Sequence, residues 1–169
     1  MIGTRANIKN DAPIVAQYGV NREGSGDMYY KGGNMLHTIR QIINDDEKWR
    51  GILRGLNKTF WHQTVTGAQV EQYISDHAGI DLNKVFAQYL TTTKIPELDY
   101  SIRGSTLTYR WTNVVPGFEM PVRVTLSDSG YATIHPTTKP RTAHLMLRDP
   151  ATFSVDPNFY VIAHRDERR

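Results

Sequence analysis

The hydrophobic pattern changes period once along the chain, at Thr91-Thr92-Thr93-Lys94-Ile95-Pro96. Before this segment apolar residues recur every three or four positions, and after it they alternate with polar ones. Pro96 cannot sit inside a helix, so the segment reads as a linker. The pattern predicts an α+β chain, with helices over residues 1–95 and a small antiparallel β-sandwich over residues 96–169.

The helical half divides by its own start and stop signals. Pro13 and Gly24-Ser25-Gly26 mark an irregular lead-in. Asp27 reads as the N-cap of a first helix, with Met28, Met35, Leu36, Ile39, Ile42 and Ile43 as its apolar residues, the latter five spaced for one face. The acidic run Asn44-Asp45-Asp46-Glu47 opens a second helix, because negative charge suits a helix N-terminus. Its inward face is Trp49, Ile52, Leu53, Leu56 and Phe60. Thr66 with Gln69 three residues on is a capping-box signal for a third helix, which Gly79 ends. Asp81 caps a fourth, carrying Leu82, Val85, Phe86, Tyr89 and Leu90. Short connections imply antiparallel neighbours.

In the second half, Leu98-Tyr100-Ile102 and Leu107-Tyr109-Trp111 flank a Gly104-Ser105 turn. Val122-Val124-Leu126 and Tyr131-Thr133 flank Asp128-Ser129-Gly130, and further strands fit Thr142 to Leu147 and Phe159 to Ala163. The 39% of hydrophobic residues suffices to fill a core, which excludes disorder over most of the length. A formal charge of +3, spread along the chain, lacks the basic stripe that a phosphate backbone requires, so no nucleic-acid partner is expected. With no cysteine, disulfides, thiolate zinc sites and a cysteine nucleophile are excluded, while the compartment stays open. No stretch approaches ~18 consecutive apolar residues, so no membrane span is expected.

The most informative segment is Gly26-Asp27-Met28-Tyr29-Tyr30-Lys31-Gly32. It resembles the Tyr-x-Lys-Gly motif of peptidase family M1, the aminopeptidase N-like gluzincins, with Tyr29, Lys31 and Gly32 at the motif positions. Met35 to Arg40, Phe86 to Leu90, Ile95 to Tyr100, Tyr109-Arg110-Trp111 and Val155-Asp156-Pro157-Asn158 are also similar to that family. The resemblance implies that residues 1–95 form the helical end of a thermolysin-like catalytic domain and that 96–169 form the sandwich domain behind it. It further implies a zinc-dependent aminopeptidase that removes N-terminal residues from peptide substrates.

The chain departs from the family at the metal. His-Glu-x-x-His and Gly-x-Met-Glu-Asn are both absent, and no two of the six histidines stand four apart. Both motifs precede the tyrosine in family members. The expectation is therefore the C-terminal part of a larger enzyme, with zinc in the parent and none held by this segment. Its partners would be the zinc-bearing upstream half and the peptide substrate. Taken alone, the segment would be inactive and would expose an apolar face able to form a non-native dimer.

By the same resemblance Tyr29 is the catalytic residue. Peptide hydrolysis builds negative charge on the former carbonyl oxygen, and a donor aimed there stabilises the transition state more than the substrate. A phenol with an ordinary pKa of about 10 remains a donor at neutral pH. Tyr30 is offset from the Lys-Gly spacing. Lys31 reads as a structural bridge, Gly32 and Gly33 as sites of close helix approach, and His37 as a partly exposed helix residue. Asp27 and Glu23 lie near the motif, whereas Glu47, Glu71 and Asp76 read as solvated helix charges. The mixed-charge tail Arg165 to Arg169 carries no binding signal. The competing class is a non-enzymatic protein- or carbohydrate-binding sandwich on a helical scaffold.

Overall fold

The computed structural model describes residues 1–15 and 25–166. After a 3-10 turn at Ile2–Asn7 come helices α1 (Asp27–Ile43), α2 (Asp46–Thr59), α3 (Gly67–Ala78) and α4 (Asn83–Thr91). Strands β1 (Glu97–Arg103), β2 (Thr106–Thr112), β3 (Val122–Ser127), β4 (Gly130–Ile134), β5 (Arg141–His144) and β6 (Ile162–Arg165) follow, so the chain is α+β. No helix among the described residues is long and apolar enough to cross a membrane.

Local chemistry sets most helix ends. Asp45 caps α2 by accepting from the Lys48 amide at 2.9 Å. Thr66 and Gln69 form both bonds of the capping box at the start of α3, and Gly79 closes that helix with a left-handed φ of 70°. Asp81 accepts from the Asn83 amide at 2.9 Å, while Leu82 holds the N-cap position of α4. Asp27 departs from expectation. It is the first residue of α1, and Gly26 is the cap without a side-chain bond. Its carboxylate is instead taken by the amides of Lys9 at 2.9 Å and Asn10 at 2.6 Å. These donors come from the lead-in, a contact that sequence spacing does not reveal.

The strands form a four-stranded sheet, ordered β5-β2-β1-β6, and the two-stranded β3-β4 sheet. Neighbours pair antiparallel except β1 and β6, which run parallel. The last strand begins at Ile162 rather than Phe159, because the Phe159 amide closes a turn onto the Asp156 carbonyl and the Tyr160 amide donates to Thr38 Oγ1. The fifth stops at His144, after which the Leu145 and Met146 amides reach Ser105 and Leu126 carbonyls.

One apolar core runs from the helices into the sheets. It includes Ile39, Ile52, Ile74, Phe86 and Tyr89 on one side and Leu98, Leu107, Trp111, Phe118 and Val122 on the other. Two buried polar residues of α4 join them. Gln88 donates to the carbonyls of Lys94 and Asn113 and accepts from the Val115 amide at 2.7 Å. Tyr89 donates to the Tyr160 carbonyl at 2.5 Å, and burial pushes its phenol well above the ordinary value, which keeps it a donor.

Candidate functional site

Helix α1 presents an unusual inward face. Asp27, Lys31, Asn34 and Thr38 recur at helical spacing, and each is at most 3% exposed. Between them they bond the lead-in, the end of α4 and the segment before β6. Asp27 holds the lead-in amides. The Lys31 ammonium donates to the Thr92 carbonyl at 2.6 Å. Asn34 accepts from Arg5 Nε at 3.0 Å and donates to Thr4 Oγ1 and to the Tyr30 carbonyl. Thr38 accepts from the Tyr160 amide at 2.9 Å. Arg5 also lies over the Tyr160 ring, 5.2 Å from its centroid. Buried polar groups of this kind are costly unless bonded, so the stripe fixes how α1 is rotated.

Two residues along a helix turn the side chain by about 200°. Lys31 points into the protein, and Tyr29 therefore points out. Tyr29 is 73% exposed, and its hydroxyl meets no hydrogen-bond partner among the described residues. Met28, Tyr30 and Leu36 are also exposed on α1, which leaves this helix with a partly apolar outer surface. Tyr30 borders a different concavity with Lys9, Asp11 and Asp27.

The two glycines after Lys31 differ. A side chain at Gly33 would strike Met1 Cε at 2.3 Å, whereas one at Gly32 would meet nothing within 4 Å. The atom met at Gly33 is the tip of the flexible Met1 side chain, so neither glycine is approached by another helix among the described residues, and Gly32 has no described neighbour that requires a glycine. Glycine inside a helix is about 1 kcal/mol less favourable than alanine. Gly32→Ala is therefore expected to stabilise the 169-residue chain by about 0.4–1 kcal/mol, which raises Tm by a few degrees. A lower Tm in a thermal melt would show that something in the chain does approach this position.

The remaining candidates are structural or apart. His37 Nε2 pairs with Asn158 Oδ1 at 3.0 Å. Glu47 lies 3.3 Å from Arg50, and Asp76 accepts from Gln72. Glu71 is half-buried rather than solvated, and burial raises its carboxyl above the usual range. Glu23 and the tail from Glu167 onward lie outside the described residues. Among the described residues no three His, Cys, Asp or Glu side chains converge as metal ligands would.

A cleft of about 320 Å³ opens between the end of α1, Ile80 and the β3–β4 hairpin, walled by Ile42, Pro121 and Phe159. Its guanidinium, Arg123, is already paired with Asp156 at 2.8 Å and bonded to Gln41 and Asn44. That charge belongs to the fold. The sequence drew no attention to Asn34 and Thr38. The signal was present in the recurrence of polar residues at positions 27, 31, 34 and 38, on the face where an amphipathic helix ordinarily carries apolar ones.

No protein-family model matches the chain. It is similar to the probable aminopeptidase 1 of Sulfurisphaera tokodaii, with 25% identity over 81 residues, 48% of this chain and 10% of that protein. The structure superposes on part of Legionella pneumophila aminopeptidase A, solved in complex with aspartic acid. That match has a TM-score of 0.65 and 16% identity, and covers 86% of this chain and 18% of the other. The chain thus has the fold of one portion of an aminopeptidase, and it spans about a tenth of its curated relative's length.

Proposed function

We propose that this chain is the C-terminal part of a zinc-dependent aminopeptidase of the M1 type, and that Tyr29 is its oxyanion-stabilising donor. The observation that carries the reading is the disposition of α1. A tyrosine that bonds no described residue is held outward, while the lysine two residues later is fully buried behind it. Two aminopeptidases among the similar proteins support the same class. In this reading residues 1–95 complete a catalytic domain and 96–169 form the sandwich module behind it.

The zinc ligands and the groups that hold the substrate amine belong to an upstream half, which packs against the outer surface of α1. That packing accounts for exposed Leu36 and for a glycine at position 32. Taken alone, the segment is expected to be inactive, to bind no zinc stoichiometrically and to pair with itself through the uncovered face.

The test compares this chain with a polypeptide that joins it to its zinc-bearing part. Hydrolysis of an aminoacyl p-nitroanilide by the longer protein, lost on chelation and restored by zinc, supports the reading. Tight stoichiometric zinc with peptidase turnover in the 169-residue chain would overturn it, as would activity in the longer protein that chelation leaves untouched.

A further inference from the structure

We infer that Lys31 is the positioning residue for Tyr29, acting as a clamp between the first turns of α1 and the C-terminal end of α4. The inference rests on the catalytic reading of Tyr29 for its functional meaning, while the clamp itself stands on geometry.

Among the described residues nothing holds the Tyr29 side chain directly. Its ring is largely in solvent, and its hydroxyl is bonded to no described residue. Its direction is therefore set by the backbone of α1, that is, by where the helix starts and how it is rotated. Gly26, at the N-cap, contributes no side-chain bond to that start. The nearest fixed points are Asp27 and Lys31, which bracket Tyr29 by two residues on either side and point the opposite way.

Lys31 is the more exacting of the two. Its side chain is 0% exposed, and its ammonium sits 2.6 Å from the carbonyl of Thr92. Thr92 is the C-cap of α4, so the cation lies where unpaired carbonyls concentrate negative partial charge. Burial pulls the ammonium's pKa down, and the charge of Asp27, one turn earlier, offsets only part of that. An apolar side chain of similar length would fill the same space without a directional bond, so the first turns of α1 would lose one of their two nearest anchors, while Asn34 and Thr38 would still hold the rest of the helix. The hydrogen-bonded ammonium supplies that direction. Buried charge retained where a hydrophobe would pack is the pattern expected when specificity of arrangement matters. Reacting groups must be held to within ~0.5 Å and 10–20°, and a misplacement of ~1 Å can lower turnover about 100-fold.

The experiment uses the 169-residue chain with 3-fluorotyrosine placed only at position 29, in wild type, Lys31→Met and Lys31→Arg. Lys31→Met is expected to keep a cooperative melt, to speed amide exchange at residues 28–32 by at least about tenfold over the rest of α1, and to shift or broaden the fluorine resonance. Lys31→Arg is expected to recover most of both signals. Unchanged exchange and fluorine spectra in Lys31→Met overturn the clamp, and so does acceleration spread evenly over the whole chain. If Lys31→Met does not fold, the wild-type chain decides. A Lys31 ammonium resonance protected from water exchange supports the clamp, and one that exchanges like a surface lysine refutes it.

Activity in the longer polypeptide separates this inference from the reading beneath it. A fall in kcat with KM retained in Lys31→Met, rescued by Lys31→Arg, supports the positioning role. If the spectra respond while turnover does not, Lys31 does not act on catalysis and the role assigned to Tyr29 fails with it. If Tyr29→Phe lowers turnover while Lys31→Met changes nothing, the clamp fails alone.

Discussion

On the proposed reading, Tyr29→Phe in a polypeptide that joins this segment to the proposed zinc-bearing part is expected to lower kcat by about 100- to 1,000-fold, the cost of removing one oxyanion donor. The fall should appear equally in kcat and kcat/KM. A donor aimed at charge that develops only in the transition state contributes little to substrate binding, so KM should barely move. The structure supplies an internal control. The Tyr29 hydroxyl is bonded to no described residue and the ring is 73% exposed, so its loss should leave Tm within experimental error. Tyr30→Phe is the second control, since Tyr30 is partly exposed beside a different concavity and should keep nearly full turnover. Steady-state kinetics on an aminoacyl p-nitroanilide read all three proteins. Turnover undiminished in Tyr29→Phe would remove Tyr29 from catalysis.

Local chemistry made much of the helical half legible. The Thr66–Gln69 pair and Gly79 act within four residues of themselves, and the structure shows them as the spacing predicts, while the acidic run at the start of α2 supplies its cap through Asp45. Asp27 carries the same cap chemistry, but two amides from the lead-in compete for its carboxylate and take it. That competition is set by tertiary packing. The last strand shows the same limit. Phe159, Tyr160 and Val161 have strand-like composition, yet the Tyr160 amide is bonded by Thr38, 122 positions earlier, so pairing with β1 starts only at Ile162. The candidate site was half legible. The two-residue offset of Tyr29 from Lys31 already placed them on opposite faces of a helix. Which face was buried could not be read, because the buried one is polar, and its partners Lys9, Thr92 and Tyr160 lie far away in sequence.

The far end of α1 has its own anchor, and breaking it should give the largest loss of stability among the changes considered. Asp156 is 3% exposed and pairs with Arg123 at 2.8 Å. It also accepts from the Asn158 amide and from Asn158 Nδ2, both at 2.9 Å. Arg123 in turn reaches Gln41 and Asn44 at the end of α1 and lies over the Phe159 ring. One carboxylate thus joins the β3–β4 hairpin, the turn before β6 and α1. Asp156→Ala leaves a guanidinium without its counter-charge and two Asn158 donors without an acceptor. Removing one partner of a buried pair costs about 3–5 kcal/mol. Arg123 keeps 24% of its side chain exposed, and water can solvate part of the orphaned charge, so about 3 kcal/mol is expected here. At two to four degrees per kcal/mol this lowers Tm by roughly 6–12 °C. Asp156→Asn keeps an acceptor for the Asn158 amide and should lose less. Arg123→Met combined with Asp156→Ala should recover part of the deficit, because it removes the unpaired charge. Thermal melts of the three variants read the ranking directly. A loss below about 1 kcal/mol in Asp156→Ala would show a pair no stronger than an exposed one, and α1 would then hang on its polar stripe and apolar packing without this second anchor.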